Sequence, residues 1–174
     1  MATQPNRQVE PQDRDALLRF VERFALVLAD AGLPRMQARV FSYVLAEDSD
    51  CYTAADLADG LGVSRAAISS ATQALVRGGL LERTREPGAR VDVFCVHDDD
   101  VWDRINEQRM PILERYLDVL EEGIRLIGPK TRGGRRLLET QAYLDFFASE
   151  ARRFRAEWRR RKPELIARAR RRSR

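Results

Sequence analysis

The chain has 174 residues, 44% of them hydrophobic and 33% charged, which is enough apolar material for one ordinary domain with extensions and excludes a wholly disordered polymer. No apolar run reaches the ~18 residues of a membrane span, and the polar start lacks the apolar stretch of a secretory signal, which points to the cytoplasm. The formal charge of +4 hides an asymmetry: residues 151–174 hold 12 basic and 2 acidic side chains, so the remainder is net negative and a basic total does not by itself mark the folded body as a nucleic-acid binder.

Residues 1–12 are predicted to be a disordered arm. From Asp13 apolar residues recur at helical spacing: Leu17, Phe20, Val21, Phe24, Val27, Leu28 and Ala31, with Leu18, Ala25 and Leu26 outside the stripe. So broad an apolar face predicts packing on two sides, one of them a second chain. Gly32 should end this helix at C′ and Pro34 open the next at N1. That helix runs to about Ala46, with Met36, Val40, Phe41, Val44 and Leu45 inward.

A polar turn, Glu47-Asp48-Ser49-Asp50, follows. Thr53 then caps a short helix with Asp56 at N3, the pattern of a capping box. Gly62 breaks that helix, and Ser64 caps another that runs to about Arg77, where Gly78-Gly79 stops it. Two strand-like runs, 80–85 and 91–96, flank Glu86-Pro87-Gly88-Ala89-Arg90 and predict a hairpin. On the second run Cys95 alternates with Val91 and Val93 and reads as a small buried residue.

Asp98, Asp99 and Asp100 suit a helix N-terminus. The helix from Val101 meets Pro111, where a kink or restart is expected. It continues through Leu113, Leu117, Leu120, Ile124 and Ile127 to Gly128-Pro129. A loop containing Gly133-Gly134 should precede the last helix, which carries Leu137, Leu138, Leu144, Phe147, Ala151, Phe154 and Trp158. Beyond Arg159 there is little to bury, and the basic run reads as a flexible electrostatic arm.

Enzyme chemistry finds no support: the single histidine, His97, and two cysteines, Cys51 and Cys95, in unrelated contexts make no zinc site or catalytic triad, and no phosphate-cradling glycine loop appears. No cofactor or metal is expected. A redox role for either cysteine is the lesser reading, and His97 is expected to end the strand and pack locally.

Residues 53–78 carry the functional signal. Ala58, Gly62 and Ile68 sit where a helix-turn-helix needs a small crossing residue, a turn residue and a branched apolar anchor. On the second helix Ile68, Ala71, Thr72 and Leu75 share one side. Ala66, Ser69, Ser70, Gln73 and Arg77 lie across from them, with Ser64 and Arg65 at the N-terminal end. That small polar flank fits a DNA major groove; Arg65 suits guanine and Gln73 adenine, while Thr53 and the serines suit phosphates. A two-stranded ribbon directly after it, with Arg83, Arg85 and Arg90, makes the unit a winged helix whose arginines can reach phosphates and a minor groove. Residues 53–97 hold five basic and five acidic residues, so binding must depend on where the arginines point.

These motifs resemble the MarR-type bacterial regulators, and the branch called GbsR-like in particular. The resemblance rests on Leu61-Gly62-Val63-Ser64, Gly78-Gly79-Leu80-Leu81-Glu82-Arg83, the wing Glu86-Pro87-Gly88-Ala89-Arg90, and Asp99-Asp100-Val101-Trp102. It implies a homodimer joined through both chain ends, and a transcription factor, often a repressor and often responsive to a small molecule. The chain departs from many relatives in having Val91 where a second wing arginine stands, which leaves Arg90 alone at the tip.

The expected architecture is mainly α with a small β-hairpin: a disordered arm (1–12), an N-terminal helix with a winged helix-turn-helix (13–97), a helical dimerisation region (98–160) and a basic tail (161–174). The expected activity is sequence-specific binding of double-stranded DNA at a pseudo-palindromic operator. Trp102, Tyr116, Tyr143 and Phe147 are candidates for an effector pocket, although aromatics at helical spacing more often form core or dimer interface. Two other classes fit parts of the sequence: a winged-helix module that binds protein, and a nucleoid or RNA-binding protein acting through the arginine-rich tail.

Overall fold

The computed structural model describes residues 11–85, 88, 90–96 and 100–173. In chain order the elements are α1 (Pro11–Asp30), α2 (Arg35–Ala46), β1 (Cys51–Thr53), α3 (Ala54–Leu61), α4 (Arg65–Arg77), β2 (Glu82–Thr84), β3 (Val93–Cys95), α5 (Val101–Ile127) and α6 (Arg132–Arg172). The fold is therefore mainly helical with a small antiparallel sheet, as expected. Two compact units divide it, residues 1–105 and 106–174, and the division falls inside α5.

The first unit is built around one core in which Val21, Val40, Phe41, Val44, Leu57, Ile68 and Leu75 are almost fully buried. The inner face of α1 is narrower than its composition suggests. Val21 and Ala25 are buried, whereas Phe20, Leu26 and Val27 are exposed. Eleven apolar residues on one helix exceed what α2 can cover, so periodicity alone cannot rank them. Glu22 accepts a 2.6 Å hydrogen bond from Arg39 Nε, linking α1 to α2. Gly32 has φ +97° and closes α1; Leu33 N–H reaches back to the Leu28 carbonyl. Pro34 is the N-cap of α2, one position earlier than expected.

Strand β1 was not expected. It pairs antiparallel with β3, giving the order β1-β3-β2, and sets Cys51 opposite Cys95. The two form a disulfide with their Cα atoms 4.3 Å apart, so the reading of two unrelated cysteines is wrong. Three residues of strand beside a polar turn give no periodic signal, and the pairing spans 44 positions of sequence. The expected alternation on β3 is also inverted. Phe94 points into the core, Cys95 is half-buried and Val91 is 55% exposed. Aromatic bulk won over three small apolar residues. His97, with Asp98 and Asp99, lies outside the described residues.

In the second unit α5 runs unbroken through Pro111. α6 begins after the N-cap Thr131, whose Oγ1 accepts from Gly134 N–H at 2.9 Å. The two glycines thus sit in the first helical turn rather than in a loop. A Cβ at Gly134 would overlap the Gly128 carbonyl, which explains glycine there. α6 continues through Pro163 to Arg172, so the basic run is helical and not an extended arm. Glu157 accepts from Arg160 Nε and Nη2 at 3.0 and 2.7 Å, pairs within α6 that composition alone does not reveal. Ion pairs from Glu107 to Arg155 (3.2 Å) and from Glu114 to Arg152 (3.7 Å) join α5 to α6. No described helix is long and apolar enough to cross a membrane.

Candidate nucleic-acid interface

Local chemistry fixes the helix-turn-helix. Thr53 Oγ1 accepts from Asp56 N–H, and Asp56 Oδ2 accepts from Thr53 N–H at 2.8 Å. This capping box starts α3 as the sequence predicts. It also occupies the Thr53 hydroxyl, which donates to Asp56 at 2.8 Å. Gly62 adopts φ +65° between α3 and α4, and Val63 N–H closes the turn on the Ala58 carbonyl at 3.0 Å. Gly60 makes a contact that spacing could not reveal: a Cβ there would overlap the Tyr43 hydroxyl. The ring of Tyr43 is held edge-on against Tyr52, with centroids 5.9 Å apart. Burial and the hydrogen bond to Glu47 push the Tyr52 phenol far above its ordinary range, so it stays a donor.

Ser64 Oγ accepts from Ala67 N–H at 3.3 Å and starts α4. Ile68, Ala71, Thr72 and Leu75 are buried, as their spacing requires. The buried Thr72 hydroxyl is satisfied by the Ile68 carbonyl at 2.9 Å. Arg65, Ala66, Ser69, Ser70, Gln73 and Arg77 are all exposed. At 3.6 residues per turn they occupy an arc of roughly 140° opposite the buried face. Gln73 Nε2 donates to Ser69 Oγ at 3.4 Å, a weak contact within the exposed arc.

The wing completes a cleft. An open depression of about 530 Å³ lies between α4 and the hairpin, lined by Ser69, Gln73 and Arg77 on one side and Arg83, Arg85 and Arg90 on the other. Six of the eleven sequence-predicted contact residues thus meet on one surface. Thr53, Ser64, Arg65, Ala66 and Ser70 do not line the cleft, and of these Arg65 and Ala66 extend the same exposed arc.

Sequence reasoning missed Asp92. Its Oδ1 binds Arg85 Nη2 at 2.6 Å and Nε at 2.7 Å, and its Oδ2 lies 3.9 Å from Arg83 Nη1. Two of the three wing arginines therefore share an acid at the cleft. Both remain 58% exposed, so the pairing is one that a phosphate can displace. The only signal was an acid two positions past Arg90, which entered the charge count without a place.

Two family profiles match this chain. One, described as the MarR family, covers residues 31–90, and the other, described as an MmpR5-like MarR family transcriptional regulator, covers residues 100–161. The chain belongs to the MarR family. A solved structure described as a transcriptional regulator superposes with a TM-score of 0.74, covering 84% of this chain and 99% of its own, at 22% identity. That likeness is one of fold. Curated proteins include no match to the chain. Family membership places this MarR protein among transcriptional regulators rather than enzymes.

The aromatic candidates fall in both units of the MarR chain. Trp102 packs edge-on against Phe41 with centroids 6.1 Å apart. Tyr116, Tyr143 and Phe147 belong to the second unit and are each more than half exposed.

Proposed function

We propose that the protein is a homodimeric, ligand-responsive repressor of the GbsR-like branch that binds a pseudo-palindromic operator in the bacterial cytoplasm. The observation that carries this reading is the small polar arc of α4 facing a cleft shared with three wing arginines. A helix flank of serine, alanine and glutamine enters a major groove without steric obstruction. Arg65 and Gln73 are the base readers, and Ser64, Ser69 and Ser70 serve the phosphates. Arg90 reaches the adjoining minor groove, with Arg83 and Arg85 on the backbone beside it.

A second copy of the chain supports the same reading. Phe20, Leu26 and Val27 on α1, and Tyr143, Phe146, Phe147 and Phe154 on α6, present more apolar surface than a monomer usually leaves to water. Twofold pairing through both chain ends would cover it and set two α4 helices about one turn of duplex, roughly 34 Å, apart or a multiple of that. An effector acts by favouring one spacing of the two helices over another.

The test is selection of bound duplexes from random DNA, followed by the R65A and Q73A variants on the selected operator. A palindromic consensus is expected, with weakened specific binding in both variants and the dimer intact. Failure to retain any duplex would reject the reading and leave a winged-helix protein-binding module.

A further inference from the structure

We propose that the Cys51–Cys95 bridge is a thiol–disulfide exchange site, attacked at Cys51 Sγ by uncharged dithiols and shielded from anionic thiols such as glutathione. The inference stands on the bridge and its neighbours and does not depend on duplex binding.

Access sets which sulfur is attacked. Cys51 begins the edge strand β1 and is exposed, whereas Cys95 lies on the central strand β3 and is half-buried. An exposed disulfide is the kind that exchanges; a deeply buried one is inert. The leaving group is provided for. Thr84 Oγ1 lies 4.0 Å from Cys95 Sγ across the β2–β3 ladder, and only the hydroxyl can donate, since a disulfide sulfur carries no proton. When the S–S bond breaks toward Cys51, that hydroxyl faces the nascent Cys95 thiolate, and a stabilised thiolate leaves faster.

Charge selects the reductant. The segment entering β1 is Glu47-Asp48-Ser49-Asp50, and Asp48 and Asp50 are exposed. Glu47 accepts hydrogen bonds from Tyr52 and from Ser49 N–H, which pins the turn beside the cysteine. An attacking thiolate that bears further carboxylates meets like charge one and three positions before Cys51, at Asp50 and Asp48, a repulsion that salt screens over ~8 Å at physiological ionic strength. A dithiol with no other charge meets a weaker barrier.

The step balances. A reductant thiolate bonds to Cys51 Sγ, the Cys51–Cys95 bond breaks, and Cys95 departs as a thiolate that takes a proton. The second thiol of the reductant then attacks its own sulfur in the mixed disulfide and releases Cys51. Two electrons and two protons pass to the protein, and the dithiol becomes a cyclic disulfide. What is lost is the covalent tie between the central wing strand and the segment that caps α3; the β1–β3 pairing remains available.

The experiment uses the full chain oxidised with diamide. Free thiols are counted by alkylation and mass, and reduction rates are measured with dithiothreitol, 2-mercaptoethanol and glutathione at equal thiolate concentration. Complete reduction by dithiothreitol is expected, with the transient glutathione adduct mapped to Cys51. Changing Asp48→Asn together with Asp50→Asn should raise the ratio of the glutathione rate to the 2-mercaptoethanol rate by about threefold or more. T84V should slow reduction by every thiol severalfold while the bridge still forms. Absence of an intramolecular bridge, an adduct on Cys95, or rates unmoved by these variants would overturn the assignment.

Discussion

Val21, Phe41, Leu57, Ile68 and Leu75 in residues 1–105 leave essentially no surface to water, whereas Tyr116, Tyr143, Phe147 and Phe154 in residues 106–174 are each more than half exposed. Among the described residues, Leu113 and Ala148 are the buried hydrophobic side chains of the second unit. The first unit buries a compact core and turns the polar arc of α4 outward, while Phe20, Leu26 and Val27 on α1 stay exposed. The second is held by ion pairs and a thin apolar seam, and its larger apolar side chains face solvent. A sequence of ordinary hydrophobicity can therefore encode one region that buries a core of its own and another whose large apolar side chains stay exposed, a surface that the proposed dimer would cover.

Core truncation sharpens that contrast most. Ile68→Ala removes a fully buried anchor between α4 and the core and should destabilise the first unit by about 2–5 kcal/mol. Denaturant unfolding of the full chain should show the loss in the transition that reports the first unit. A loss below about 1 kcal/mol would mean that the core is not centred on α4.

The exposed aromatics should behave in the opposite way. Tyr143→Ser with Phe147→Ser should leave helical content nearly unchanged, yet weaken self-association by at least about a hundredfold, roughly 2.7 kcal/mol. Sedimentation at several protein concentrations measures this. Unaltered dimerisation, or a chain that is monomeric to begin with, would remove the argument that association completes the second unit.

The turn between α3 and α4 comes next. Gly62 has φ +65°, and a Cβ there meets no atom within 4 Å. Gly62→Ala therefore tests backbone conformation without steric overlap. It should cost about 1–2 kcal/mol by thermal unfolding, a clear effect within the first unit and none on self-association.

This difference between the regions also governs how much could be read from sequence. Thr53, Asp56, Gly62 and Ser64 act through partners within four residues, so the capping box, the turn and the start of α4 were all legible. The exposed arc of α4 followed from the same short spacing. β1 and the Cys51–Cys95 bridge depend on a pairing 44 residues distant, and three-residue strands carry no period. The inverted face of β3 has the same origin. Once Phe94 enters the core, Val91, Val93 and Cys95 must take the other side. In the second unit the helices were legible but their ends were not, because Glu157 with Arg160 and Arg161 extends helix into a run whose composition suggests an arm.

The smallest expected effect lies at the cleft, where electrostatics rather than burial decides. Asp92 holds Arg85 at 2.6 Å and stands 3.9 Å from Arg83, with the arginines exposed. Such a pair contributes under about 1 kcal/mol to stability, so Asp92→Asn should leave the melting temperature almost unmoved. On DNA the consequence is larger in relative terms. In the proposed complex the acid would compete with phosphate for the two guanidinium groups that it holds. Its removal should strengthen binding to random duplex more than to operator, because base contacts from α4 are unaffected while every phosphate contact gains. The specificity ratio should then fall, and the salt slope should become steeper. A ratio that stays constant would place Arg83 and Arg85 away from the backbone, and Arg90 would be the wing's sole contact.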